Sequence, residues 1–144
     1  MSQVLLIATD KPLPLCYHHE IRTKNVMIED TPHSISVPRG FQVSEHSYYR
    51  SCVDGLGYPM KPYQYELDLE LDERDLQHLQ EYLTEHFSPW ETVELWNIWQ
   101  SNDFGSCPPH YCGTLADFDM DTLEQFLPKP KQDQPGQCWL TITI

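Results

Sequence analysis

The fold of this 144-residue chain turns on the stretch Tyr63-Gln64-Tyr65-Glu66-Leu67-Asp68-Leu69-Glu70-Leu71-Asp72. Tyr65, Leu67, Leu69 and Leu71 alternate with Glu66, Asp68, Glu70 and Asp72, the period of two expected of a strand with one face buried and the other in water. The period then changes to 3.6. Leu76, Leu79, Leu83 and Phe87 fall on one face, Asp72 can cap the first turn, and Glu73 and Asp75 suit its positive end. The spacing predicts a helix over about 73–87 that stops before Pro89.

Working outward, Val93, Leu95 and Trp99 alternate with Glu94, Trp96 and Ile98, apolar on both sides as in a central strand. A short strand is expected near 111–117, then a helix capped by Asp119 that carries Leu123, Phe126 and Leu127 and closes at Pro128. The last strand, residues 138–144, places Leu140, Ile142 and Ile144 on one face and Trp139, Thr141 and Thr143 on the other. The order from about residue 63 is β-α-β-β-α-β, which predicts an α+β fold of ferredoxin-like type. Upstream, residues 4–8 form an apolar run. Two β-branched stretches, 26–28 and 35–37, flank Thr31-Pro32-His33-Ser34 and predict a hairpin. Residues 45–63 have turn chemistry without a period. Residues 1–62 are thus a β-rich, loop-rich extension that adds to the sheet edge or covers its open face, and 63–144 are the α+β module, together one compact domain.

Charge follows the same division. Residues 1–63 carry six acids and six bases; residues 64–128 carry fifteen acids and one base, Arg74; residues 129–144 carry one acid and two lysines, for a total of -13. That balance argues against direct binding of nucleic acid or an anionic membrane and leaves basic proteins as partners. No apolar run approaches the roughly 20 residues of a membrane span, and Met1-Ser2-Gln3 lacks the positive start of a signal peptide. A cytoplasmic protein with five reduced cysteines is expected.

Three segments invite chemistry. Cys107, His110 and Cys112 are ligand types that Zn²⁺ accepts, yet C-x₄-C is wider than common zinc knuckles and the fourth ligand is missing; a turn with two packed cysteines competes with zinc. His18-His19-Glu20 matches H-x-E of zinc deaminases, but the P-C-x-x-C half is absent. Asp117, Asp119 and Asp121 fit the first ligand positions of a calcium loop, but Thr122 and Pro128 stand where Gly and Glu are needed, so the aspartates are better read as acids at a helix start. Cys107 with His110 is the one thiol with local support for nucleophilic chemistry. No common hydrolase, zinc-protease, P-loop or dinucleotide motif occurs.

The acidic module remains. Glu66, Asp68 and Glu70 are expected in a row on one strand face, joined by Glu94, Trp96 and Trp139 on the same open face. Large aromatics beside carboxylates suit an interface centre with a charged rim. The competing expectation is that residues 1–63 bury both tryptophans. The leading expectation is a non-catalytic binding protein whose acidic face recognises a basic protein, as inhibitor or immunity-type proteins do. A small metal or thiol enzyme at residues 107–112 and a self-associating assembly protein are the alternatives.

Overall fold

Residues 4–8 and 93–98, the two runs apolar on both sides, lie side by side at the centre of one sheet. A computed structural model describes residues 2–17, 20–47, 50–100, 107–127 and 137–144. In chain order its elements are β1 (Ser2–Thr9), β2 (Cys16–Tyr17), β3 (Glu20–Ile28), β4 (Thr31–Arg39), β5 (Gln42–Glu45), α1 (Arg50–Asp54), β6 (Tyr63–Asp68), α2 (Glu73–His86), β7 (Thr92–Gln100), β8 (His110–Thr114), α3 (Met120–Phe126) and β9 (Cys138–Thr143). The protein is mixed α+β. The main sheet has the order β2-β5-β6-β1-β7-β9-β8.

That order differs from the ferredoxin-like one. A ferredoxin-like module would close its sheet from residues 63–144 alone, whereas β1 inserts between β6 and β7, pairing Leu6 with Glu66 on one side and with Trp96 on the other. Since both neighbours run antiparallel to β1, β6 and β7 are parallel, and β6-α2-β7 is a split βαβ unit. At the far end β8 runs parallel to β9. The physical reason is visible in β1 itself: a strand with Val4, Leu6, Ile7 and Ala8 all buried cannot serve as an edge or a cover. The opening segment therefore supplies the sheet's middle as well as β5 and β2 at one side.

The other elements follow from local chemistry. The alternating stretch leaves the sheet at Asp68, because Leu69–Asp72 must turn into α2: Asp75 accepts the Glu70 amide at 2.6 Å, and Asp72 caps the helix by accepting the Asp75 amide at 2.8 Å. Leu76, Leu79 and Leu83 bury the inner side of α2. Asp119 caps α3 by accepting the Thr122 amide at 2.9 Å, and these bonds hold its carboxyl below the usual range. The expected hairpin exists as β3–β4, but its turn is Glu29-Asp30, at φ 52° and 60°, rather than residues 31–34. Positive φ at both central residues is the two-residue turn that matches strand twist.

Helices α2 and α3 cover one face of the sheet, where Ile7, Leu67, Leu95, Leu140 and Ile142 meet Leu79, Leu83, Leu123 and Phe126. Asn97 reaches up from β7 and donates to the Phe126 carbonyl at 2.8 Å, satisfying a helix-end acceptor. The opposite face, with Val4, Leu6, Ala8, Trp96 and Ile98, is covered by Val53 of α1 and by Leu56, Tyr58 and Met60 after it. Among the described residues no helix is long and apolar enough to cross a membrane.

Candidate functional site

Strand alternation does place Glu66, Glu94, Trp96 and Trp139 on a common face, the one away from α2 and α3. That face is not open. Trp96 has no exposed surface and Glu94 retains 7%, because the segment around residues 53–60, loop-like in sequence, lies across them. Glu94 is a buried acceptor: its Oε1 takes the Lys61 amide at 2.8 Å and the Trp96 indole N–H at 3.3 Å. Glu66 points at the buried His46, with Oε1 3.8 Å from Nδ1. Asp68 is exposed at the end of β6, and Glu70 lies beyond the strand. The expected row of carboxylates is thus broken, and Glu94 and Trp96 are interior residues rather than docking residues. The side chains of Arg22, Lys24 and Trp99 lie outside the described residues.

Trp96 and Trp139 belong to an aromatic ladder. Their register across β7 and β9 stacks them at 4.3 Å, His110 of β8 stacks on Trp139 at 3.6 Å, and Tyr58 closes the other end at 5.9 Å from Trp96. Such cross-strand pairs stabilise a sheet and fix its register. Trp139, half-buried between Trp96 and His110, is a structural rung.

The Cys/His loop divides. His110 and Cys112 point the same way from β8, with Cys112 Sγ 3.7 Å from His110 Nε2, which also lies 2.8 Å from the Thr141 hydroxyl. Cys107 instead meets Trp139: partial desolvation raises its thiol above the ordinary value, and a hydrogen bond from the indole opposes this. The thiol in contact with the imidazole is that of Cys112. Among the described residues no three His, Cys, Asp or Glu side chains converge to hold a metal, so the zinc set Cys107, His110 and Cys112 is not assembled. His18 and His19 lie outside the described residues.

Seven of the exposed carboxylates sit on the helical layer. Glu73, Glu81 and Glu85 of α2 and Asp117, Asp119, Asp121 and Glu124 at α3 all face solvent, the consequence of helices that bury leucines on one side and carry acids on the other. The opening segment neutralises part of the module at one end of the sheet, where Lys11 pairs with Glu91 at 2.9 Å and holds that carboxyl below its usual range. Asp10 pairs with Lys61 nearby.

Three features escaped the sequence. His46 is buried, and among the described residues neither ring nitrogen has a hydrogen-bond partner; burial lowers its pKa, Glu66 and Asp54 raise it, and Arg50 lowers it. Trp90 is 86% exposed and held at φ 74°, a conformation costly for a bulky residue. The third is the setting of β8, expected as a short strand near 111–117 but found at the sheet's edge, with all five residues exposed beside a cleft of about 230 Å³ under α3. The run of Cys and His points to ligands, whereas the informative property of His110–Thr114 is that it contains no Lys, Arg, Asp or Glu and no proline. Comparison with family models, curated proteins and solved structures finds no significant match for this chain.

Proposed function

We propose that the chain is a non-catalytic binding protein that recognises a basic protein through the acidic outer side of its helical layer. The observation that carries this is the placement of seven exposed carboxylates on α2, α3 and the turn before α3, in a stretch where Arg74 is the one base between residues 64 and 128. A field of one sign over one layer steers an oppositely charged partner and disfavours others. The reading moves the contact surface from the covered sheet face to the helices. It keeps the inhibitor-like mode of action, in which occupation of a basic site is the whole activity.

The test is capture of partners on immobilised protein at about 50 mM salt and elution at about 500 mM, where screening shortens the reach of charge. Each identified partner is then purified and rebound to a variant carrying Glu81→Lys, Glu85→Lys and Glu124→Lys. The reading requires a basic partner whose affinity falls at least about tenfold with the variant and falls again with salt. A partner indifferent to both, or no partner released by salt, refutes it.

A further inference from the structure

The main sheet has two edges, and they are built differently. One is β2, two residues long and preceded by Pro12 and Pro14, a length that offers little to an incoming chain. The other is β8, which pairs with β9 over five consecutive residues without a bulge. Its residues His110, Tyr111, Cys112, Gly113 and Thr114 are all exposed. Proteins usually protect such an edge with a lysine, a proline, a bulge or a covering element. Pro108 and Pro109 precede β8, but within His110–Thr114 none of the first three is present, and among the described residues nothing pairs with its outer side.

The phase of the ladder says which backbone groups that edge offers. At one end the Trp139 amide donates to the Pro109 carbonyl at 2.9 Å, and at the other the Leu115 amide donates to the Thr143 carbonyl at 2.8 Å. Bonding residues alternate in a parallel pair. Odd-numbered residues therefore turn their backbone to β9, and His110, Cys112 and Thr114 turn theirs outward. The Thr114 carbonyl already accepts the Asp117 amide at 3.2 Å. Among the described residues, the N–H and C=O of His110 and Cys112 and the N–H of Thr114 remain for an added strand.

Beside this edge, on the helical side, lies the cleft. Leu140, Ile142 and Phe118 form its apolar part, with Tyr111, Thr122 and Gln125 around it. Gly113 opens it, since nothing comes within 4 Å of where a Cβ would stand. An incoming strand alternates its side chains, so one of them beside Gly113 would enter the cleft. Main-chain pairing for affinity and a pocket for an alternate side chain are the two parts of strand addition.

We infer that the outer edge of β8 receives an extended segment of a partner protein in which basic residues alternate with apolar or β-branched ones. This rests on the reading of a basic partner and names how it docks. Charge selects the occupant: Asp117 lines the cleft, Asp119, Asp121 and Glu124 are exposed close by in sequence, and no Lys or Arg occurs between Asp75 and Pro128. A second copy would bring the same carboxylates to the junction and be repelled. A segment with lysines or arginines on one side meets the rim, and its apolar side meets the cleft.

The probe is a panel of capped seven-residue peptides alternating Lys or Arg with Val, Ile, Thr or Ala, screened against the full chain. The tightest is mapped by amide chemical shifts. The expected result is that the shifts centre on His110, Cys112 and Thr114. N-methylation of alternate peptide residues in one register should then weaken binding by about tenfold or more while the other register is tolerated; this control leaves the protein unaltered. Gly113→Val, which fills the cleft, should weaken binding as well. Shifts centred on α2, equal binding by both N-methylated registers, or no binder in the panel overturns edge docking. The basic-partner reading survives all three if the captured partner still responds to salt and to the helix charge reversals. A dimer at micromolar concentration that Cys112→Pro dissociates would make a second copy the occupant and overturn the inference.

Discussion

Glu94 separates the two accounts of the sheet face sharply, since a docking carboxylate and an interior acceptor respond oppositely to removal. Glu94→Ala leaves two donors without their partner, the Lys61 amide and the Trp96 indole N–H, now bonded at 2.8 and 3.3 Å. A hydrogen bond to a charged group contributes about 1.5–3 kcal/mol, the longer bond falling at the low end. Relief of the carboxylate's own desolvation offsets part of the sum. The expected loss is about 3 kcal/mol, a large fraction of the 5–15 kcal/mol typical of a domain. For a chain of this length it lowers Tm by about 6–12 °C. Glu94→Gln keeps an acceptor oxygen in place and should cost about 1 kcal/mol. Urea unfolding of the three proteins, followed by tryptophan fluorescence, measures both. If Glu94→Ala unfolds within about 0.5 kcal/mol of the parent, the carboxylate is not an interior pin and the covered-face description is wrong.

Further outcomes follow from other residues. Trp90→Gly should stabilise the protein by about 1 kcal/mol, because a positive φ costs an L-residue about 1–2 kcal/mol and an indole 86% exposed gives up little packing; destabilisation in the same urea assay would show that the indole holds the loop. His46 titrates lower in the folded state than its ordinary 6.5, so below that pH the unfolded chain binds the extra proton first. Stability should be full above about pH 6.5 and fall with acid by at most about 1.4 kcal/mol per pH unit until the folded imidazole also protonates. His46→Gln should remove that slope, and an unchanged slope would assign it elsewhere. Burial pushes the Cys138 thiol up to about 11, leaving it roughly a hundredfold poorer in thiolate than an ordinary cysteine. Peptide mapping after mild alkylation should find Cys107 and Cys112 modified and Cys138 untouched until urea is added; early labelling of Cys138 would contradict its place under α3.

The local elements were legible and their arrangement was not. Alternation at Tyr65–Asp68 and the leucine spacing of α2 reported the strand and helix directly, because each depends on neighbours a few residues away. The place of β1 depended on a comparison across the chain: residues 4–8 and 93–98 are both apolar on two sides, and two such strands in one sheet belong beside each other. That signal was present but is easily outweighed by the contiguous β-α-β-β-α-β order. The covered face was hidden for a different reason. Residues 55–60 carry Gly55, Gly57 and Pro59 and read as a connector, yet Leu56, Tyr58 and Met60 among them form the lid over Trp96. The carboxylate row failed at Glu70 because Asp75, five residues on, claims its amide, a contact outside the reach of a period-two argument.

The position of β1 has a consequence for how the molecule comes into being. Leu6 finds one neighbour at Glu66 and the other at Trp96, so β1 is not flanked on both sides until β7 has been made. At roughly 5–20 residues per second of synthesis, Val4–Ala8 waits several seconds for its second partner. Pairings this distant along the chain also place the protein among slow folders. An adhesive apolar ribbon is therefore exposed until β7 has been made, and a holding chaperone would find its natural target in Val4–Ala8 rather than in the acidic half.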